Sequence, residues 1–235
     1  MIENYLKWHS PNLGKEFEML VFGDKGFPML LFPTSMGRYY ESKDFGLIDA
    51  IRWFIEEGRI KVYCPDSIDA ESWYCTDISP AQRAFNHHCY DKLLREEILP
   101  RMEDETGYQR IVAAGCSFGG YHAANFAFRY PDKVSYLLSL SGIFDIKGRV
   151  DGHYDDNVYY HNPMDFMPGN QHEDLWRMGI VLGVADNDVC RHSNEQFSRL
   201  LTEKKMAHWL DVRPHTSHDW PAWREMLPHY LSLIK

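Results

Sequence analysis

Short runs of apolar residues alternate along the chain with longer segments in which apolar positions follow a helical period. Residues 16–23 alternate between polar and apolar side chains and lead into the turn sequence Asp24-Lys25-Gly26, which predicts one arm of a β-hairpin. The unbroken apolar run at residues 28–32 is typical of a strand buried on both faces. Further strands are predicted at residues 60–64, 110–116, 134–140, 179–185 and 208–212.

Helical periodicity fills the segments between these strands. Residues 41–57 place apolar side chains near one helical face, and Gly58 is suited to end that helix. Ser79 and Pro80 supply an N-cap and a first-turn proline for another helix, which Pro100 should kink or end. Further helices are predicted at residues 118–129, at residues 192–205 and after Pro221.

This alternation predicts an α/β fold with a mostly parallel central sheet and helices on both faces. Residues 143–178 interrupt the rhythm with Gly, Asp, Asn, His, Tyr and Pro. An irregular excursion of this length inside a compact domain is usually functional, as a lid or as part of a binding wall. Since no repeat or linker divides the 235 residues, a single domain spanning residues 1–235 is predicted.

Composition narrows the range of partners. The formal net charge of -9, with Lys and Arg scattered along the chain, argues against nucleic acid or an anionic membrane as a partner. No apolar run approaches the roughly 18 to 20 residues that span a bilayer, and the first residues do not resemble a secretory signal. The five cysteines are an odd number without CxxC spacing, so reduced thiols and a cytoplasmic location are predicted.

The segment Gly115–Gly119 has the pattern G-x-S-x-G and follows an apolar predicted strand directly. It also opens a predicted helix, so the chain must reverse in a tight turn that strains the backbone of Ser117. Glycines on either side remove the Cβ atoms that would clash in such a turn. The pattern in this setting predicts that Ser117 is an exposed nucleophile.

A serine hydroxyl needs a base, and His218 stands between the last predicted strand and the last predicted helix. That position fits the order Ser, acid, His of the α/β-hydrolase triad, although His215 is too close in sequence to be excluded by spacing alone. His122 is predicted to be a packing or hydrogen-bonding residue. The pair His87-His88 is predicted to lie on a solvated helix face.

The base in turn needs a carboxylate that fixes its tautomer. Asp186 and Asp188 both follow the predicted strand at residues 179–185. Asp186 is the first acidic residue past that strand and is the predicted triad acid. Asp188 remains an alternative.

An oxyanion hole requires two backbone N–H donors. One should come from Phe118, directly after the nucleophile. The other should come from the loop after the early buried strand, where Ser35 and Met36 are the candidates.

At this point the sequence resembles the α/β-hydrolase superfamily, and within it the esterases of the esterase D type. Their relatives include feruloyl and acetylxylan esterases, S-formylglutathione hydrolase and the mycolyl transferases. The stretches that carry the likeness are residues 10–14, residues 97–100, residues 115–120, and His218-Asp219-Trp220 with Trp223.

The resemblance implies a three-layer α/β-hydrolase sandwich and favours His218 over His215. It also favours Asp186, since the acid of this family usually stands three residues after a strand-ending glycine, here Gly183. By analogy it gives the second oxyanion donor to Ser35, although the His-Gly or Ser-Gly pair that commonly begins this loop is absent.

The predicted function is hydrolysis of a small-molecule carboxylic ester through a Ser-Asp-His triad and an acyl-enzyme. This chemistry needs no metal and no organic cofactor. An acyltransferase on the same triad, a peptidase and a catalytically silent binding module are the alternatives. The oligomeric state is left open by the sequence, and a homodimer is compatible with it. The acidic stretch at residues 151–156 would disfavour anionic substrates if it lay near the entrance, although a solvated loop is the simpler interpretation.

Overall fold

The apolar runs of the sequence form the strands of one sheet in a computed structural model that describes residues 1–234. Eight strands lie in the order β1-β2-β4-β3-β5-β6-β7-β8. Their bounds are β1 (Glu3–Ser10), β2 (Lys15–Phe22), β3 (Phe27–Phe32), β4 (Ile60–Pro65), β5 (Ile111–Cys116), β6 (Val134–Leu140), β7 (Gly179–Asn187) and β8 (Trp209–Ser217).

The sheet is parallel from β4 to β8, and β1 and β2 add an antiparallel edge. The prediction that residues 16–23 form a hairpin arm is confirmed, because β2 pairs with β1. The turn Asp24-Lys25-Gly26, however, leads into β3, which is separated from β2 by β4. The first strand carried no clear alternation of apolar residues because it is an edge strand and is mostly exposed to solvent.

In the described part of the chain, residues 1–234, ten α-helices connect or flank the strands. They are α1 (Glu41–Asp44), α2 (Leu47–Ala50), α3 (Arg52–Glu56), α4 (Pro80–Leu93), α5 (Leu99–Thr106), α6 (Phe118–Arg129), α7 (Asp156–Tyr160), α8 (Pro163–Phe166), α9 (Arg191–Glu203) and α10 (Trp220–Leu231). Short 3₁₀ turns lie at Asp69–Glu71, Lys147–Arg149 and Glu173–Arg177, and a π-turn lies at Leu94–Ile98.

Two apolar cores lie on opposite faces of the sheet. One core contains side chains of α4, α5, α6 and α9, and the other contains side chains of α2, α3 and α10. Burial of such apolar surface is the main favourable contribution to folding. The predicted α/β sandwich, with a mostly parallel sheet and helices on both faces, is therefore confirmed.

The predicted helix at residues 41–57 is instead broken into α1, α2 and α3. Gly46 has a φ of 75°, a left-handed conformation that interrupts the helical hydrogen-bond ladder after α1. Pro100 behaves differently from the prediction as well. A π-turn at Leu94–Ile98 joins α4 to α5, and Pro100 lies in the first turn of α5, where a missing N–H is tolerated.

The irregular excursion at residues 143–178 is confirmed and contains only short helices and turns. Its residues Ile146, Val150 and Val158 are buried against Phe118 and Tyr121 at the start of α6. The excursion therefore covers the end of the sheet at which the G-x-S-x-G turn lies.

Within residues 1–234, no helix has both the length and the apolar character that crossing a membrane requires. The five cysteines are all free thiols.

Candidate active site

The turn between β5 and α6 holds Ser117 in a conformation that few non-glycine residues adopt. Its φ is 54° and its ψ is -123°, so the predicted backbone strain is confirmed. A Cβ on Gly115 would lie 2.3 Å from the Gly119 carbonyl oxygen, and a Cβ on Gly119 would lie 2.4 Å from the Pro33 carbonyl oxygen. Both glycines are thus needed to let β5, α6 and the loop after β3 approach one another.

His218 is the histidine that reaches Ser117. It follows β8 directly, and its Nε2 lies 2.9 Å from the Ser117 Oγ. His215 does not take part, because its backbone is turned into the left-handed region with a φ of 60° and its N–H donates to Asp186. The choice of His218 over His215 agrees with this geometry.

Asp188 is the carboxylate that contacts His218. Its Oδ1 lies 2.8 Å from the His218 Nδ1, and its side chain is fully buried. Ser141 Oγ and the Cys190 backbone N–H donate further hydrogen bonds to it, at 2.6 and 2.7 Å. Burial raises the pKa of Asp188, but these three hydrogen bonds outweigh burial and hold the pKa below its ordinary value.

The prediction that Asp186 contacts this histidine is wrong. The strand β7 runs on to Asn187, two residues further than predicted, so the first acidic residue past the strand is Asp188. Asp186 instead accepts hydrogen bonds from the backbone N–H groups of His215 and Thr216, at 2.8 and 3.2 Å. It holds the backbone of β8 at His215 and Thr216, close before His218.

The environment of His218 favours its protonated form. Burial lowers the pKa of this imidazole, but hydrogen bonding to Asp188 and the nearby Cys190 sulfur outweigh burial and raise the pKa to about 9. An imidazole with a raised pKa is a stronger base, so it holds a proton that it has accepted from a neighbouring group.

Behind Asp188 stands a second layer of hydrogen bonds. Ser141, which follows β6 with a φ of 54°, accepts a hydrogen bond from Trp223 Nε1 at 3.0 Å while it donates to Asp188. Trp223 also contacts the His218 ring edge to face, with centroids 5.1 Å apart. Trp223 was singled out by the resemblance, whereas nothing in the sequence marked Ser141.

The loop after β3 offers a free backbone donor at Ser35. The N–H groups of the neighbouring residues are engaged: Thr34 donates to Glu41, Met36 to Asp69 and Gly37 to the Thr34 carbonyl. For the Ser35 N–H, residues 1–234 supply no acceptor. Of the two donors that the sequence left open, Met36 is therefore occupied and Ser35 is available.

The other predicted oxyanion donor, Phe118, is the first residue of α6. Its N–H likewise has no acceptor within residues 1–234, as expected of a first-turn N–H. The positive end of the α6 dipole lies at the same point and favours negative charge there.

Asp69 fixes this loop from behind, and no sequence motif marked it. Its buried carboxylate accepts the Met36 N–H at 2.9 Å and lies 2.9 Å from the His122 Nε2 on α6. The prediction that His122 is a hydrogen-bonding residue is thus confirmed. His87 packs beside His122 and is buried, so the prediction of a solvated face is wrong for that member of the His87-His88 pair.

Tyr74 contacts the same loop from the side. Its hydroxyl donates to Ser35 Oγ at 2.7 Å, and its ring meets the Phe118 ring edge to face. It accepts a hydrogen bond from Arg149 Nη2 at 2.9 Å. Tyr74 and Asp69 lie in a segment without strand or helix periodicity, so the sequence held no signal for either role.

One group of side chains has the donor types of a metal site. Asp188, Cys190 and His218 each offer a ligand atom, and these atoms lie within 4.8 Å of one another. A cation there would have to replace the hydrogen bond between Asp188 and His218, since both groups use those atoms for each other.

A family model described as “Putative esterase” matches residues 45–234. No curated relative matches the sequence significantly. Among solved structures, an S-formylglutathione hydrolase from Staphylococcus aureus is 16% identical with a TM-score of 0.73, over 99% of this chain and 98% of that one. A ferulic acid esterase is 17% identical with a TM-score of 0.79, over 99% and 96%. An S-formylglutathione hydrolase from Agrobacterium tumefaciens is 12% identical with a TM-score of 0.75, over 98% and 93%. At these identities, the structural likeness establishes the α/β-hydrolase fold.

Proposed function

The chain belongs to this esterase family of α/β-hydrolases, and on that premise we propose that it is a serine esterase whose triad is Ser117, His218 and Asp188. The observation that carries the proposal is one continuous hydrogen-bonded line. Ser117 Oγ lies 2.9 Å from His218 Nε2, and His218 Nδ1 lies 2.8 Å from Asp188 Oδ1. Such a line is the arrangement that lets a serine hydroxyl lose its proton as it attacks a carbonyl carbon.

In the first half of the proposed reaction, His218 Nε2 takes the Ser117 proton as Oγ bonds to the ester carbonyl carbon. The carbonyl electron pair moves onto its oxygen, which the N–H groups of Phe118 and Ser35 stabilise. When the oxyanion collapses, the bond to the alcohol oxygen breaks, and His218 returns the proton to the leaving alcohol. The product that stays behind is the acyl ester of Ser117.

In the second half, water takes the place of the alcohol. His218 removes a proton from water, the resulting hydroxide attacks the acyl carbon, and the acid leaves as the proton returns to Ser117 Oγ. Asp188 stays ionised throughout and stabilises the imidazolium that forms twice. Its lowered pKa supports this role.

The substrate class that we propose is a small-molecule carboxylic ester. The family description names esterases, and the structural neighbours are named as a ferulic acid esterase and S-formylglutathione hydrolases. An acyl group on Ser117 can also pass to an alcohol instead of water, so the test must distinguish hydrolysis from acyl transfer.

The test is hydrolysis of p-nitrophenyl esters from acetate to octanoate by the wild type and by Ser117→Ala. We expect the substitution to lower kcat by about 10⁴- to 10⁶-fold, because the nucleophile is lost. A fluorophosphonate should label the wild type stoichiometrically and leave Ser117→Ala unlabelled. Circular dichroism of both proteins serves as the control for folding.

Ser117→Ala with unchanged activity would refute the proposal. A folded wild type that neither turns over an ester nor reacts with the fluorophosphonate would point to a silent binding module. If the label binds and product analysis finds an ester of an added alcohol but no free carboxylic acid, the protein is an acyltransferase.

A further inference from the structure

A positive charge that has no acidic partner within residues 1–234 stands beside the candidate oxyanion loop. Arg149 Nη2 donates to the Tyr74 hydroxyl at 2.9 Å, and its guanidinium carbon lies 3.8 Å from the centre of the Tyr74 ring. The same carbon lies 5.8 Å from the centre of the Phe118 ring. Since Tyr74 also donates to Ser35, the guanidinium is linked to Ser35 through Tyr74 and lies beside the ring of Phe118, the two residues proposed as oxyanion donors.

Resting on the serine esterase function proposed above, we propose that the ester substrate carries a carboxylate and that Arg149 binds it. Arg149 would then determine specificity, and the reacting groups would remain Ser117 and His218. The preferred substrates would be monoesters of dicarboxylic acids or esters with a carboxylate on the alcohol side.

Three acidic residues of the excursion, which also contains Arg149, pair with other cations. Asp151 lies 2.9 Å from Arg83, and Asp145 and Asp165 lie 3.4 and 2.8 Å from Lys147. The acidic stretch considered in the sequence is therefore partly neutralised, and within residues 1–234 no carboxylate lies within ion-pair distance of Arg149.

Most other arginines of the chain do have a carboxylate partner. Of those that lack one, Arg149 is the one whose guanidinium contacts the residues of the candidate site, through Tyr74 and Phe118. A cation kept partly buried without an acid is costly unless a ligand supplies the opposite charge.

The stacking leaves the guanidinium suited to a planar anion. The Tyr74 ring centre lies 3.8 Å from the guanidinium carbon, and the Tyr74 hydroxyl accepts one N–H, so the other N–H groups of Arg149 are left for a ligand. The structure gives them no acceptor within residues 1–234. A guanidinium fork fixed in this way matches the two oxygens of a carboxylate better than a mobile ammonium would.

The test compares pairs of esters that differ by a carboxylate. Monomethyl glutarate against methyl pentanoate puts the charge on the acyl side, and 4-acetoxybenzoate against phenyl acetate puts it on the leaving group. We expect the wild type to prefer the anionic member of one pair. Arg149→Gln should raise KM for that member by roughly 10- to 100-fold, which is the effect of losing a charged hydrogen-bonded pair. KM for the neutral member should change less than about threefold. Arg149→Lys should retain part of the preference.

Arg95→Gln is the matched control, because Arg95 also stacks on a tyrosine, Tyr130, and has no carboxylate partner. It should leave the preference unchanged. The proposal is overturned if neither pair shows a preference for the anion, or if Arg149→Gln lowers kcat equally for both members, which would mean that Arg149 only positions Tyr74. Failure of the esterase function itself would look different, since the neutral esters would then show no hydrolysis that depends on Ser117.

Discussion

The two halves of the candidate site are built in different ways. The relay side consists of Ser117, Ser141, Asp188, His218 and Trp223, and the oxyanion side consists of Ser35, Met36, Asp69, Tyr74 and Phe118. On the relay side, all residues but Trp223 directly follow a strand: β5, β6, β7 or β8. On the oxyanion side, a loop after β3 is held by side chains from a different, irregular segment, with Asp69 33 residues away from Met36.

The difference shows which features of a site follow from topology. Parallel strands end at one edge of a sheet, so residues just past neighbouring strands meet whatever their separation in sequence. Residues that brace a loop from an irregular segment have no such rule. A change of one atom on the relay side should therefore lower kcat strongly. A change on the oxyanion side should lower kcat less, because it acts by shifting the position of the loop.

The largest expected difference in kcat is between substitutions of Asp188 and of Asp186. Asp188→Asn keeps the shape but removes the negative charge that stabilises protonated His218, and its amide N–H can favour the wrong His218 tautomer, so kcat should fall by about 10⁴-fold. Asp186→Asn is the matched control, two residues away and bonded only to backbone N–H groups. It should change kcat less than about threefold, as a surface substitution outside the hydrogen-bonded line. The reverse order in a p-nitrophenyl acetate assay would restore Asp186 as the acid.

This pair of residues also marks how far the sequence could predict the relay side. Ser117 and His218 follow from motif and order, because a G-x-S-x-G turn and a strand-following histidine have few other places in the fold. Asp188 was only the alternative to Asp186, because the end of β7 is set by its pairing with β8 as far as Ser217, which no local pattern reveals.

On the oxyanion side, the sequence predicted which loop supplies the second donor but left the donor residue open. Ser35 was favoured only by analogy, and the reason it is free became visible through the partners of its neighbours. The sequence also could not predict how the segment at residues 41–57, which follows this loop, divides into short helices. The positive φ of Gly46 broke a segment with good helical period, and conformational preferences of this kind are decided by tertiary contacts.

The relay side should also show a strong pH dependence. Only neutral His218 can accept the serine proton, and its pKa is raised to about 9. Thus kcat/KM should increase about tenfold for each pH unit below that value and then level off. In the residual activity of Asp188→Asn, the inflection should move to lower pH, because the partner that raises the pKa is gone. An inflection at the same pH in both proteins would mean that another group is being titrated.

Stability should change with pH in the opposite sense. Because the pKa of His218 is higher in the folded chain than its ordinary value of 6.5, this group stabilises the fold fully below pH 6.5. This stabilisation by His218 is lost as the pH rises through about 9. Over the same pH range, kcat/KM should rise while the stability of the fold decreases. Tm measured from pH 6 to 10 for the wild type and for His218→Gln would reveal the difference.

A smaller effect is expected for the oxyanion side. Asp69→Asn replaces one acceptor oxygen by an NH₂ group, so either the Met36 N–H loses its acceptor or His122 must change tautomer to accept from the new N–H. The loop should shift, and kcat should fall by about 10- to 100-fold, less than complete loss of an oxyanion donor, with little change in KM.

Asp91→Asn is the control for this substitution, because Asp91 is also a buried carboxylate but pairs with Tyr130 and Arg129 instead. Both variants should lose about 1 to 3 kcal/mol of unfolding free energy through an unsatisfied buried group. Only Asp69→Asn should lose kcat. Equal kcat for the two variants would show that Asp69 stabilises the fold without positioning the oxyanion loop.

The smallest effect tests whether the second layer of the relay side contributes to rate at all. Ser141→Ala removes one of three hydrogen bonds to Asp188 and leaves the Trp223 N–H without its acceptor. Ser139→Ala, two residues earlier and equally buried, removes only a hydrogen bond to the Gly120 carbonyl. In urea titrations, Ser141→Ala should cost more stability than Ser139→Ala, because it also leaves the Trp223 N–H unpaired. Only Ser141→Ala should lower kcat, by roughly three- to tenfold, since His218 and the Cys190 N–H still hold the carboxylate. If the two variants have the same kcat, Asp188 is held well enough by its two remaining partners, and the relay side tolerates loss at its periphery as the oxyanion side does.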